Sequence, residues 1–423
     1  QSVKSKGMDG IVFRLSPDLD QLIWSTFLGG GATDAFYSIQ VQGANRVVVC
    51  GGTKSKDFPM TPNAYQGVST IGQSVPFQRL RNTDAVIASF NLETGSLMHS
   101  TFYGSTSYDQ AYLVQTDSEG NVYILGQTEG IIPRTAGTDG SSGGKGFLAK
   151  LNPDLDQRIW ATSLGSNTES RLVPSAFMVD SCGRLYFSGW GGESNDDFIG
   201  GFTLGFPTTT DAYKPSTDGS DFYFGVLSSD ATSLQYGTFF GGPYRGEHVD
   251  GGMSRFDKSG TITQAICGCT SGNNFFNRGS IGSYSPTIKS TNCNQSVVKF
   301  NLGVLESKFN LAAQIECGKV VTLSNLSSNG TNYTWFWGNG DSLKTNSNTV
   351  TYSYPQAGTY IITLKAENPT TCKKIDFFTD TIVLTDPFNF PVDTIDKEFC
   401  KGDKIQPVLP AHPGISQRWL PND

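Results

Sequence analysis

The chain is predicted to be all-β: blades of four-stranded antiparallel sheets, then a β-sandwich, then the start of another sandwich. Three observations predict this. A short marker recurs four times, as Ser25-Thr26-Phe27-Leu28-Gly29-Gly30, Ser100-Thr101-Phe102-Tyr103-Gly104-Ser105, Ala161-Thr162-Ser163-Leu164-Gly165-Ser166 and Gly237-Thr238-Phe239-Phe240-Gly241-Gly242. Its threonines stand at 26, 101, 162 and 238, giving periods of 75, 61 and 76 residues. Alternating strands and hairpin turns fill each period. The third observation is a tryptophan-centred alternating segment, Tyr333-Thr334-Trp335-Phe336-Trp337, in the last quarter.

Within each period a strand precedes the marker: Ile11-Val12-Phe13-Arg14-Leu15, Val86-Ile87-Ala88-Ser89-Phe90, Phe147-Leu148-Ala149-Lys150-Leu151 and Tyr223-Phe224-Gly225-Val226-Leu227. The turns between strand and marker have hairpin composition: Ser16-Pro17-Asp18, Glu93-Thr94-Gly95, Asn152-Pro153-Asp154 and Ser229-Asp230. A second hairpin follows the marker, with turns at Asp117–Asn121, Asp180–Arg184 and Asp257–Thr261. Two hairpins per period make four strands, the composition of a propeller blade. No such unit buries its own faces, so neighbours must stack. Strand 35–42 is expected innermost, with 9–28 supplying two outer strands of a preceding blade. Full blades are expected at 35–104, 110–166, 173–242 and 248–311. Four and a half blades leave an open edge, so further blades are expected upstream of Gln1.

These segments carry a resemblance. Gly51-Gly52-Thr53-Lys54-Ser55-Lys56-Asp57-Phe58-Pro59-Met60-Thr61-Pro62-Asn63-Ala64-Tyr65-Gln66 resembles the signature of SBBP repeats, β-propeller repeats of bacterial surface proteins, and Gly205-Phe206-Pro207-Thr208-Thr209-Thr210-Asp211-Ala212-Tyr213 is a second copy. Gly189-Trp190-Gly191-Gly192, Ser220–Phe224 and Glu247–Gly252 resemble one subset of that family, large secreted proteins of gliding bacteria that end in a type IX secretion sorting domain. The resemblance spans residues 9–302. It implies a propeller, a secreted or cell-surface location on the outer face of the outer membrane, and passage through the type IX secretion apparatus.

A propeller region over 1–310 is followed by a sandwich over 311–386. Tyr333–Asp341, Tyr352-Ser353-Tyr354 and Ala357–Leu364 resemble a PKD domain, an immunoglobulin-like sandwich. The usual Trp-Asp-Phe-Gly-Asp-Gly core stands here as Trp335-Phe336-Trp337-Gly338-Asn339-Gly340. Both acidic positions are replaced, which argues against a calcium role. Alternating strands and a central Trp read as a sandwich without the resemblance. Residues 387–423 read as a linker and the truncated start of a further immunoglobulin-like domain, so sequence is expected beyond Asp423.

Composition agrees with this reading. Gly 49 and Phe 28 against Met 5 is a turn-rich β balance, and at 16% charged residues with net charge −7 nothing basic tracks a nucleic-acid backbone. No apolar run approaches the ~20 residues that span a bilayer. Gln1 opens no leader, so the chain reads as a mature form or a fragment.

The eight cysteines are read as exported-protein thiols, with disulfides as the default. Cys317 and Cys372 bracket one sandwich and are expected to pair. Cys182, Cys267, Cys269 and Cys293 are expected to pair among themselves, with Cys182–Cys267 and Cys269–Cys293 favoured among three connectivities. Zinc is the alternative for these four. The Cys267-Gly268-Cys269 gap is tighter than the usual spacing, and no metal or cofactor is expected. Cys400 is left without a partner, and Cys50, in mid-strand, is expected to be a buried free thiol.

Candidates for chemistry are few. Glu247, His248 and Asp250 form either a metal or acid/base cluster or a polar strand start, and alternation along a strand favours the latter. Trp190 is either a sugar-stacking platform or core filler between glycines. Asp34 and Asp109 recur after the glycine turns and read as turn caps. The innermost strands, Tyr37–Val41, Tyr112–Gln115 and Ala176–Val179, carry little charge. An enzymatic propeller needs charged groups there, so a non-enzymatic adhesin or scaffold is preferred, touching cell-envelope proteins or surface glycans. A carbohydrate-active propeller enzyme with accessory sandwiches is the alternative. Loops 66–84, 128–145 and 191–206 differ most between repeats and are the expected contact surface.

Overall fold

The structure, a computed structural model, describes residues 7–70, 83–140, 143–166, 170–191, 201–242, 254–257, 260–268, 294–303, 305–311, 315–317, 319–369, 371 and 373–385. Every named element among them is a β-strand. β1 (Gly10–Leu15) and β2 (Leu22–Leu28) make a two-stranded sheet. Three four-stranded antiparallel meanders follow. The first is β3 (Asp34–Gln42), β4 (Arg46–Thr53), β5 (Asp84–Asn91) and β6 (Leu97–Tyr103). The second is β7 (Asp109–Thr116), β8 (Val122–Thr128), β9 (Gly146–Leu151) and β10 (Arg158–Leu164). The third is β11 (Val173–Val179), β12 (Leu185–Trp190), β13 (Phe222–Leu227) and β14 (Leu234–Phe240). A three-stranded sheet comes next, from β15 (Arg255–Phe256), β16 (Thr261–Gly268) and β17 (Asn294–Asn301). Each meander coincides with one sequence period. The unit expected over 248–311 has three strands among the described residues rather than four.

The burial pattern shows why the sheets must stack. β4, β8 and β12 are buried at every position, as strands covered on both faces are. The apolar clusters lie between sheets, not within them. Val12 and Leu28 pack with Val47, Val49, Val86 and Phe102. Val48, Cys50 and Ile87 pack with Val114, Ile124 and Phe147. Leu125, Leu148 and Trp160 pack with Phe177, Phe187 and Tyr223. Trp190, Phe222 and Phe224 pack with Ile262, Ile266 and Val298. The leading strands meet one another: β3 and β11 both touch β7, and β15 touches β11.

The recurring threonine has a structural cause. The long connection between the second and third strand of each meander returns across the outermost strand as a tether. It is anchored by a buried apolar residue before a proline: Phe58-Pro59, Ile132-Pro133 and Phe206-Pro207. Three residues after the anchor a threonine hydroxyl accepts an outer-strand N–H: Thr61 from Ser100 (2.9 Å), Thr135 from Ala161 (3.0 Å) and Thr209 from Gly237 (3.2 Å). The marker threonine, one residue along that strand, closes the tether. Thr101 Oγ1 accepts from Gln66 N–H at 2.9 Å and Thr238 Oγ1 from Lys214 N–H at 3.0 Å, while the Thr162 hydroxyl donates to the Asp139 carbonyl. The tether thereby occupies hydrogen-bonding groups that an open sheet edge leaves bare.

The C-terminal unit is a two-sheet sandwich. One sheet has β18 (Phe309–Asn310), β20 (Val320–Asn325) and β23 (Thr349–Ser353). The other has β19 (Ile315–Cys317), β21 (Asn332–Phe336), β22 (Ser342–Lys344), β24 (Gly358–Glu367) and β25 (Ile375–Thr385), with β19 parallel to β25. Its first strand begins at Phe309, two residues before the expected boundary. Trp335 and Trp337 are fully buried and stack at 5.9 Å, and Trp337 stacks on Tyr352 at 4.4 Å. The Tyr354 hydroxyl donates to the Trp337 carbonyl (2.8 Å), tying β23 to the turn after β21. Gly338 sits at φ +79°, where a Cβ would stand 2.6 Å from the Ile361 carbonyl oxygen; only glycine meets both conditions. Residues 387–423, expected to open a further sandwich, lie outside the described residues.

Candidate functional site

The leading strands wall a cavity of about 530 Å³. Ser38, Ile39 and Gln40 of β3, Leu113 and Gln115 of β7, and Ala176–Val179 of β11 contribute. None of these nine side chains ionises near neutral pH. Charged groups gather where the leading strands end and the sandwich meets the sheets: Asp180, Arg255, Asp257, Glu306, Lys373 and Asp376. Several of them are engaged in structure. Asp180 accepts the N–H groups of Cys182 and Arg184 and pairs with the Arg184 guanidinium, each at 2.9 Å. Asp257 accepts the Thr261 N–H at 3.0 Å. Lys373 pairs with Asp376 at 2.6 Å.

At the other end of the leading strands the backbone is bulged. The ladder skips Tyr37 in β3, Tyr112 in β7 and Ser175 in β11. A glycine on the neighbouring strand admits each bulge. A Cβ on Gly51 would stand 1.8 Å from the Ala35 carbonyl oxygen, one on Gly126 2.2 Å from that of Gln110, and one on Gly189 2.4 Å from that of Val173. A bulge re-aims the unpaired side chain. The Tyr37 and Tyr112 rings stack at 5.7 Å and 25°. The Tyr108 hydroxyl lies 2.9 Å from that of Tyr112, and both phenols donate to Gln110 Oε1. Gln110 reaches the Tyr37 phenol as well. Burial pushes the Tyr108 phenol up to about 12 and raises Tyr37 and Tyr112 too, so all three are neutral at physiological pH. The next residues along, Ser38 and Leu113, line the cavity.

The two recurring aspartates cap turns, as their spacing predicts. Asp34 Oδ2 accepts the Gly30 N–H (2.8 Å) and the Ser55 hydroxyl (2.9 Å). Asp109 Oδ2 accepts the Ser105 N–H (2.6 Å) and hydroxyl (2.9 Å). Burial pushes Asp109 up to about 7. Nearby, Glu129 is held by Arg171 at 2.7 Å and Lys145 at 3.7 Å.

Of the other residues singled out from sequence, Trp190 takes the second of its two roles. It is 3% exposed, packed with Phe222, Phe224 and Phe240, and offers no open ring face. Glu247, His248 and Asp250 lie outside the described residues. Cys50 is a buried free thiol whose pKa burial drives far upward. Cys182 is disulfide-bonded. Cys269, Cys293 and Cys372 fall outside the described residues, as do the side chains of Cys267 and Cys317, so neither the Cys317–Cys372 pair nor the favoured propeller pairs fall among them. No cluster of three metal-ligating side chains occurs among the described residues. The Tyr37–Tyr112 pair was missed in sequence. Its signal was present: each tyrosine stands three residues after a turn-capping aspartate.

Residues 308–372 match the sequence model of the PKD domain. No curated protein matches the chain. Among solved structures, the PKD1 domain of the Vibrio cholerae metalloprotease PrtV is 28% identical, covering 19% of this chain and 95% of that one, with a TM-score of 0.16. The extracellular domain of a putative hybrid two-component system from B. thetaiotaomicron is 11% identical over 89% of this chain and 48% of that one (TM-score 0.25). PorZ, a bacterial surface component of the type IX secretion system of Porphyromonas gingivalis, is 10% identical over 82% of this chain and 51% of its own (TM-score 0.21). The chain spans about half the length of these two larger proteins. It is an all-β protein of stacked antiparallel sheets whose C-terminal sandwich is a PKD domain.

Proposed function

We propose that this is a non-enzymatic secreted or cell-surface binding protein, adhesin-like, in which the stacked sheets are blades of a β-propeller and the PKD domain is a spacer. One observation carries the non-enzymatic reading. The leading strands of three sheets wall the cavity with Ser38, Ile39, Gln40, Leu113, Gln115 and Ala176–Val179, none of them ionisable. General acid–base or nucleophilic chemistry needs titratable groups aimed at one point. Two at the cavity's charged end, Asp180 and Asp257, are committed to turns. The propeller reading is supported by the meander order and by cores that lie between sheets. Export by type IX secretion in a gliding-type bacterium is supported by the SBBP-like segments Gly51–Gln66 and Gly205–Tyr213.

The test is a pull-down from the cell envelope run beside a glycan array and a hydrolase screen. Retention of envelope proteins or glycans without turnover is expected. Cleavage of polysaccharide or peptide that Glu247→Gln or His248→Ala abolishes would establish the enzyme alternative instead.

A further inference from the structure

We propose that Tyr37, Tyr112, Tyr108 and Gln110 form a binding platform for a neutral pyranose, the C–H face of the sugar lying on the Tyr37 ring. The site deepens the binding-protein reading and rests on it. It stands on four observations. Tyr37 is 42% exposed, on a leading strand that also exposes Ile39 and Val41. Its ring is held in place by stacking on Tyr112 at 5.7 Å. The polar edge of the pair is preassembled, because the Tyr108 and Tyr112 hydroxyls converge on one carboxamide. Finally, the pair borders the cavity, through Ser38 and Leu113.

The fold itself does not ask for these aromatics. The third meander carries the same bulge with its facing glycine and places Ser175 there, 2.8 Å from the Ser188 hydroxyl. A bulge whose only task was to join neighbouring sheets would serve equally well with serine in all three. An exposed ring with a rigid polar edge is the composition of a small-molecule site: an apolar surface with a few fixed polar groups.

The charge state selects the ligand. Phenol and carboxamide are neutral; with the Tyr108 and Tyr112 protons held by Gln110 Oε1, the two phenol oxygens are left to accept from sugar hydroxyls. A neighbouring carboxylate, Glu129, is already paired with Arg171 and Lys145, which takes up both of those cations. The platform's own side chains offer no positive charge to hold a uronate or sialate, so the class is an uncharged hexose rather than an acidic sugar.

The probes are neutral β-linked gluco- and galacto-tetrasaccharides, with sialyllactose and oligogalacturonate as charged controls, titrated calorimetrically into the full chain. Binding of a neutral tetrasaccharide is expected. Tyr37→Ala weakens it about tenfold, and Tyr37→Phe, which keeps the ring, changes it by about twofold or less. Far-ultraviolet circular dichroism and the melting temperature should be unchanged for both variants, since the side chain is half exposed. Equal affinity in Tyr37→Ala, or binding of the acidic controls alone, overturns the proposal. If no sugar binds but envelope proteins are still retained, the platform is wrong and the binding-protein reading survives. If neither is retained, both fall.

Discussion

The stacked sheets and the PKD sandwich are both antiparallel β-structure, yet they bury their apolar surface differently. The sandwich encloses a single core. Trp335 and Trp337 form its centre, with Phe309, Val321, Ile362 and Ile382 around them. The array has no centre of that kind. Its cores are shared between one sheet and the next, and each of the three four-stranded meanders is closed on its outside by a tether through Thr61, Thr135 or Thr209. A sandwich is therefore sensitive at one point, whereas an array spreads the same chemistry over repeated, individually weaker joints. The difference also bears on function. The sandwich buries its most distinctive residues, while the array leaves its leading strands free to line a cavity.

Four substitutions sharpen this contrast, from the largest expected effect to the smallest. Trp335→Ala, removing the largest fully buried side chain of the sandwich, is expected to cost about 3–5 kcal/mol. Calorimetry on the full chain should show the sandwich transition lost and that of the array kept. A single transition lowered throughout would show that the two regions are one cooperative unit.

Lys214→Met tests the tether of the third meander. Lys214 Nζ meets the fully buried Asp221 carboxylate at 2.6 Å and also donates to the Gly241 and Gly242 carbonyls at 3.1 Å. Removing it leaves a buried carboxylate without its cation, at a cost of about 3 kcal/mol. Burial raises the Asp221 pKa even with lysine present. The loss should therefore shrink in acid, where the carboxyl takes up a proton. A cost independent of pH would mean that packing, not charge, is what the lysine supplies.

Asp109→Asn reads the pH dependence of the array alone. Asp109 titrates at about 7 in the folded chain, burial being the main cause, against about 3.9 in an unfolded one. The folded form holds its proton more tightly. The stability associated with that proton is complete below about pH 4 and is lost as pH rises through about 7. The carboxamide of the variant has no proton to lose. The variant should therefore match the parent near pH 4, exceed it at pH 8, and show a shallower decline between them. Chemical denaturation at a series of pH values measures this, and an unchanged slope would refute the assignment. The smallest effect is expected from Thr135→Val, which removes one tether hydrogen bond to Ala161 N–H at a cost of about 1 kcal/mol.

How much of this was legible in the sequence follows the same division. The strand order of the three meanders was readable because marker, hairpin turns and strand alternation repeat together. The turn-capping role of Asp34 and Asp109 was readable because short-range geometry decides it. The middle tether was not. Copies one and three announce themselves as Phe58-Pro59 and Phe206-Pro207, whereas copy two has Ile132-Pro133 in a shorter period, and burial does not distinguish isoleucine from phenylalanine. Trp190 was ambiguous for a related reason: flanking glycines fit both an exposed platform and a tightly packed core, and only its neighbours Phe222 and Phe240 decide. The Tyr37–Tyr112 pair depends on two bulges. A bulge shifts a side chain out of strand alternation, and alternation was the signal being read.

The central proposal is that the array presents a binding surface and performs no chemistry. The most direct measurement incubates the purified full chain with fluorescently labelled neutral polysaccharide and follows bound and free label by size over hours. Label retained at full length is expected, with retention lowered about tenfold by Tyr37→Ala. Progressive release of shortened products, abolished by His248→Ala, would contradict it.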